Sequence, residues 1–256
     1  MILELDIGNT RCKWRLCGAA APAGRGGACP VEGLAAALAA LPERAAIARV
    51  RAGCVRGPQV EAAVSAAVQG VLGLATEFAR SQSVTAGVRN GYTDPGRLGV
   101  DRWLVLLAAH ARQTGAVLIV DAGTAVTYDL LREDGTHLGG LILPGIEMMR
   151  AELLAGTRIP RPVPDAVIDQ SINETGDSDP WGSDTASAVA LGSVHALGAL
   201  ADRLYDRLAE RGHGPGPAIL LTGGDASRLA GVISRPCELV PDLVLQGLAR
   251  LAGDNP

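Results

Sequence analysis

The chain has 256 residues, 48% hydrophobic and only 3% aromatic, so its core must be built mainly from Ala, Leu and Val, in one large domain or two small ones. A formal net charge of -4 argues against a broad phosphate-tracking surface for nucleic acid or an acidic membrane, and leaves room only for a local basic pocket suited to a small anion. Cys12, Cys17, Cys29, Cys54 and Cys237 form no CxxC or Cys/His cluster and read as reduced thiols; the acidic N-terminus lacks signal-peptide character and no apolar run approaches the ~18–20 residues of a membrane span, so a cytoplasmic protein is expected.

In chain order, Met1 to Asp6 alternates as a strand does, and Gly8-Asn9-Thr10 turns the chain into a second strand around Lys13 to Leu16. Cys17 to Pro30, rich in Gly, Ala and Pro, reads as a loose connection. A helix is predicted over Val31 to Leu41, a strand over Ile47 to Val55 and a helix over Gln59 to Leu72. After the Tyr92-Thr93-Asp94-Pro95-Gly96 turn, Asp101 stands at the start of an apolar helix reaching about Thr114. Strands are predicted over Val117 to Asp121, Val126 to Leu131 and His137 to Leu143, with Pro144-Gly145 opening a helix through Leu154. Thr157 to Pro180 reads as an irregular excursion. Asp184 to Arg211 follows as a long helix with possible breaks at Gly192 or Gly198, then a strand over Ala218 to Leu221, a short strand over Glu238 to Val240 and a last helix from about Leu243.

Within this order lies a weak repeat. Leu3-Glu4-Leu5-Asp6-Ile7-Gly8-Asn9-Thr10 aligns with Leu118-Ile119-Val120-Asp121-Ala122-Gly123-Thr124-Ala125, each a strand running into Asp-x-Gly with a hydroxyl close behind. So long a period implies two duplicated lobes, 1–115 and 116–256, rather than a solenoid of ~20–50-residue repeats.

The motif has a chemical reading. Glycine lets backbone N–H groups approach phosphate oxygens, Asn or Thr adds donors, and the Asp holds a cation or its water shell. Asp6, Gly8, Asn9, Thr10 and Lys13 make one such loop; Asp121, Gly123, Thr124 and Thr127 make the other. A single Asp-x-Gly serves as well to cap its own turn, but two at the heads of matching strand pairs point to phosphate. Lys13 is the only lysine among 23 basic residues, and it falls beside the first loop, where a compact ammonium reaches phosphate in a way that a planar guanidinium does not. Gly223-Gly224-Asp225 fits an adenine or ribose contact as readily as a plain strand-to-helix turn. Asp101-Arg102 reads either as a helix cap with an adjacent Arg or as a general base with a carboxylate clamp.

Taken together, Asp6-Ile7-Gly8-Asn9-Thr10 with Lys13, then Leu98-Gly99-Val100-Asp101-Arg102, then Asp121 to Asp129, then Gly139-Gly140 with Pro144-Gly145, resembles the type III pantothenate kinases. The resemblance implies an α/β fold of two duplicated ribonuclease-H-like lobes, that of the acetate and sugar kinase, heat-shock chaperone and actin superfamily, with ATP held in a cleft. It implies ATP-dependent phosphorylation of pantothenate to 4'-phosphopantothenate, the first step of coenzyme A biosynthesis, in a homodimer. It further implies Asp101 as general base and Tyr92, Gly99, Val100, Arg102 and Thr185 as pantothenate contacts. By the same likeness Asp6 organises magnesium, Asp121 holds potassium or ammonium, and Gly123 and Thr124 contact ATP. Asp184 stands where the family usually has Asn before that Thr. Three other readings remain: a kinase for another small hydroxyl compound, a regulatory accessory protein on the same fold, and a metal-dependent nuclease, which the net charge disfavours.

Overall fold

A computed structural model describes residues 1–18, 24–159, 181–211 and 216–251. The first sheet grows from β1 (Ile2–Ile7), whose alternation puts Leu3, Leu5 and Ile7 on one face and Glu4 and Asp6 on the other. The Gly8 N–H donates to the Arg11 carbonyl at 3.1 Å and reverses the chain into antiparallel β2 (Cys12–Cys17). Next along this edge comes β3 (Gly26–Cys29), within the segment expected to be a loose connection. Glycine composition hid it: a Cβ on Gly27 would lie 2.9 Å from the Trp14 indole, and one on Gly26 would lie 2.8 Å from the Trp14 carbonyl. Here glycines permit close pairing instead of marking a loop. On the other side β4 (Arg49–Cys54) and β5 (Thr76–Phe78) add in parallel, giving the order β3-β2-β1-β4-β5.

The apolar face of this sheet is covered by α1 (Leu34–Ala39) and α2 (Pro58–Leu72), whose Leu34, Leu38, Val64 and Val68 join Leu3, Leu5, Val50 and Ala52 in one core. Each of these buried Leu and Val side chains is worth about 1.5–3 kcal/mol of transfer free energy. A hairpin of β6 (Val84–Thr85) and β7 (Val88–Arg89) leads to α3 (Val100–Arg112), which is buried along most of its length and ends short of Thr114.

The second sheet repeats the plan with β8 (Val117–Ala122), β9 (Ala125–Leu131), β10 (His137–Pro144), β11 (Ala218–Thr222) and β12 (Cys237–Leu239). Its order, β10-β9-β8-β11-β12, is again a central strand with antiparallel neighbours on one side and parallel ones on the other. The repeat expected from Asp-x-Gly is thus present as a repeat of topology. Helices α4 (Ile146–Ala155), α5 (Thr185–Ala209) and α6 (Ala226–Ala230) accompany this sheet, and Val194, Leu197 and Ala201 of α5 pack with Leu118, Val120 and Leu221. Helix α5 runs unbroken through Gly192 and Gly198; a Cβ on Gly198 would meet a Val232 methyl at 2.7 Å, so that glycine serves close packing. Most of the expected irregular excursion, 160–180, lies outside the described residues.

The chain divides into two units, Met1–Ala111 with the stretch from Asp242, and Arg112–Pro241. In this division α7 (Leu243–Leu251) groups with the first unit, whereas the expected lobe 116–256 includes it. It lies against β1, β4 and α3, where a Cβ on Gly247 would come within 2.1 Å of the Leu104 carbonyl oxygen. Local periodicity predicts that helix but carries no information about which sheet it covers.

Candidate active site

On the face of the first sheet opposite α1 and α2, β1 and β2 pair two carboxylates with two cations. Glu4 is opposite Arg15 and Asp6 opposite Lys13. The inner rung is closed: Arg15 Nε donates to Glu4 Oε2 at 2.6 Å, Arg15 Nη2 donates to the Leu245 carbonyl at 2.8 Å, and Arg51 Nη1 lies 3.9 Å from Glu4 Oε1. With Glu4 wholly buried, its charge is tolerable only because these guanidinium groups surround it. The outer rung is open. Lys13 Nζ lies 3.5 Å from Asp242 Oδ1, with the two side chains 40% and 50% exposed. Beside it, Asn9 and Thr10 are exposed and Asp6 and Gly8 half-buried, so the first loop presents its donors outward.

The expected substrate residues come together at the start of α3. Arg102 Nη1 donates to the Tyr92 hydroxyl at 2.7 Å and its guanidinium stacks 5.5 Å from the Tyr92 ring centre, while Arg102 itself is only 4% exposed. Tyr92 is in turn held by its backbone N–H, which donates to Asn90 Oδ1 at 2.9 Å; the Asn90 amide spans the carbonyls of Gln82 and Pro95, both at 3.2 Å. Asp101 Oδ1 accepts from the Arg102 backbone N–H at 2.8 Å, which aims the carboxylate across the helix N-terminus. Gly99 makes room for it, since a Cβ there would fall 2.7 Å from that oxygen. Gly99 and Val100 are half-buried alongside. Asn90 was invisible in the sequence; only its place before the Tyr92 turn hinted at a loop-holding amide.

In the second unit Asp121 is the penultimate residue of β8, with Thr127 of β9 and Thr222 of β11 as its register neighbours. Three glycine segments that are far apart in sequence converge on its loop. A Cβ on Gly223, which has φ 94°, would meet the Ala122 carbonyl oxygen at 2.2 Å and Asp121 Oδ1 at 2.6 Å; one on Gly145 would meet the Gly123 and Thr124 oxygens at 2.3 and 2.6 Å. Backbone bonds fix the assembly: Gly123 N–H to the Ala125 carbonyl, Gly145 N–H to Thr124 and Asp225 N–H to Ala122, at 3.0, 3.0 and 2.9 Å. The result is an oxygen-rich corner around one carboxylate, impassable to any side chain larger than hydrogen at two of its walls.

Thr185, in the second unit, is exposed at the first position of α5. Asp184 before it is the helix cap: its Oδ1 accepts from the Ser187 N–H at 2.9 Å, and that bond lowers its pKa. The departure from Asn at this position therefore keeps a good cap. Buried Asp129 and His137 pair at 2.9 Å across the β9–β10 hairpin, and Gly139, at φ 110°, follows at the bulge. Among the described residues no three His, Cys, Asp or Glu side chains are grouped to hold a metal ion.

Two lobes of repeated topology, each with an Asp-bearing loop at the end of its central strand, define the fold of the acetate and sugar kinase, chaperone and actin superfamily. A candidate N-acetylmannosamine kinase from Listeria monocytogenes shares it with TM-score 0.57 and 12% identity over 98% of both chains. So does a candidate Baf-family transcriptional activator from Campylobacter jejuni, with TM-score 0.60 and 20% identity over 98% of this chain and 97% of that one. At such identities the likeness is one of fold. Within that class the chain belongs to the type III pantothenate kinase family: residues 2–207 match the family model of that description. The type III pantothenate kinase of Azotobacter vinelandii is 40% identical over 97% of each chain.

Proposed function

We propose that this protein transfers the γ-phosphoryl group of ATP to the primary hydroxyl of pantothenate, giving 4'-phosphopantothenate for coenzyme A biosynthesis. The observation that carries the assignment of roles is the cluster at the start of α3. A buried, pre-oriented guanidinium for a substrate carboxylate stands next in sequence to a carboxylate held at a helix N-terminus. Tyr92 fixes the Arg102 fork, whose planar set of donors matches a carboxylate such as that of pantothenate. Asp101 accepts the hydroxyl proton as the substrate oxygen attacks phosphorus in line. Lys13 and the exposed Asn9 and Thr10, which Gly8 holds in the turn, offset the charge that spreads over the phosphoryl oxygens.

The donor sets fit the cations that such chemistry uses. Asp6 is a half-buried carboxylate near a strand end, a suitable anchor for magnesium, which keeps most of its waters and otherwise rests on phosphate oxygens. Asp121 and the carbonyls around it suit a monovalent ion, potassium or ammonium, with Gly123 and Thr124 contacting ATP. When bound, these cations neutralise phosphate charge; the protein's own part is to orient the groups and to move the proton at Asp101.

A homodimer is part of the proposal, supported by Leu141 and Ile142 on edge strand β10 and Met148 and Leu153 on α4, all large apolar side chains left exposed. Thr185, exposed at a helix start, is then available to a substrate held by the partner subunit. A cytoplasmic location follows from the reaction's substrates, and no described helix is long and apolar enough to cross a membrane. The decisive test is phosphopantothenate formation by the wild type and by Asp101→Asn. The variant should bind ATP and pantothenate but lose turnover by at least ~10²-fold. Near-normal turnover would overturn the role given to Asp101.

A further inference from the structure

Asp242 is an aspartate in left-handed backbone conformation, φ 57°, where α7 begins. Only one other described non-glycine residue, Ala86, has positive φ. Its carbonyl accepts the Gln246 N–H at 3.0 Å, so the backbone already starts the helix, and its carboxylate reaches the lone lysine at 3.5 Å. Unfavourable backbone geometry persists where surrounding structure imposes it, and such residues cluster at functional sites. Two links tie this segment to β2: Arg15 binds the Leu245 carbonyl and Lys13 meets Asp242. The first link is part-buried, with Arg15 also bound to buried Glu4. The second lies at the open end of the same face, beside Asp6 and the Gly8 turn.

We infer that Asp242 is a positioning residue for phosphate binding, acting through Lys13. An unbranched lysine stem loses much rotamer freedom when its ammonium is fixed on a ligand. Asp242 meets part of that cost in advance by holding the ammonium at the mouth of the loop. An ammonium has three N–H donors, so one carboxylate partner leaves two for phosphate oxygens. A guanidinium would spread its charge over a fork and bind the carboxylate side-on, which accounts for a lysine here in a chain otherwise served by arginine. The alternative is a purely structural role, a negative charge at the N-terminus of α7. This inference rests on the assignment of Lys13 to the phosphate site.

The test is steady-state kinetics and thermal unfolding of Asp242→Asn and Asp242→Gly, alone and combined with Lys13→Met. Asn and Gly both accept the left-handed conformation, so the fold is kept while the carboxylate is lost. Expected is a rise of about three- to fivefold in KM for ATP, the most that a half-exposed ion pair supplies. KM for pantothenate, kcat and the melting temperature should stay near wild type, and the ATP effect should vanish in the Lys13→Met background. An unchanged KM for ATP in the Asp242 variants, with Lys13→Met impaired, overturns the inference and leaves the phosphate role of Lys13 standing. Persistence of the effect without Lys13 overturns it as well. A Lys13→Met enzyme with normal ATP kinetics overturns the inference and the phosphate role together.

Discussion

Replacing Gly99 by alanine isolates the position of Asp101 from its chemistry. The new Cβ would lie 2.7 Å from Asp101 Oδ1, whereas ordinary contact begins near 3.4 Å, so the oxygen must retreat by about 0.7 Å. Only the tip of a side chain stands in the way, and Gly99 φ is not in the left-handed region, so the fold has no reason to suffer. Losing a glycine's freedom in the unfolded chain stabilises by roughly 0.4–1 kcal/mol where the geometry is compatible. Catalysis is less tolerant. Misplacing a reacting group by ~1 Å costs on the order of 10²-fold, so a displacement of this size should lower kcat by about tenfold or somewhat more. The assay is initial-rate phosphopantothenate formation at saturating ATP and pantothenate, paired with calorimetry. The expected result is a depressed kcat with a melting temperature equal to or slightly above wild type. Full kcat in Gly99→Ala would refute the reasoning, because the oxygen that must move would then not be the one that takes the proton.

Lys13→Arg preserves charge but should raise KM for ATP at least ~5-fold, because a planar fork cannot replace a compact ammonium at a phosphate; unchanged ATP kinetics would make the lone lysine an accident of composition. Exchanging potassium for sodium should raise KM for ATP by about fivefold or more, the low end of coupling between two ligands, and Asp121→Asn should abolish the difference between the two salts. Burial pushes the Cys12 thiol up to about 12 and those of Cys17 and Cys237 to about 11. Since the thiolate is the nucleophile, iodoacetamide at pH 8 should label Cys12 at least ~10²-fold more slowly in the folded protein than in urea, with the rate climbing as pH rises. Mass spectrometry that finds Cys12 alkylated within minutes in the folded protein would contradict that burial.

The features legible in the sequence are those that a short window encodes. Alternation around Leu3, Leu5 and Ile7 gave β1, and the matching Asp-x-Gly segments gave the duplication, because a strand's inward face and a turn's glycine are local requirements. What the window could not hold was tertiary. Gly26 and Gly27 looked like a loop because their reason for being glycine is the Trp14 ring on another strand. The last helix looked like the end of the second lobe because Gly247 answers to Leu104, more than a hundred residues earlier. Asp242, following Pro241, looked like an ordinary helix start; its φ and its lysine partner exist only in the folded chain. The substrate residues were named by resemblance, but the reason Gly99 accompanies Asp101 is steric and needed coordinates.

The return of the last helix to the first unit has a consequence for biosynthesis. The first unit is interrupted between Ala111 and Asp242, and the face that holds Glu4, Arg15 and Arg51 is not covered until the interruption has been translated. At roughly 5–20 residues per second that delay is on the order of ten seconds, long on the scale of helix and hairpin formation. The second unit, whose sequence is continuous, is fully synthesised before the helix that covers the first unit's polar face. The polypeptide made first is thus completed last. A chain truncated after Pro241 and released should display a protease-resistant second unit beside a first unit still open to digestion.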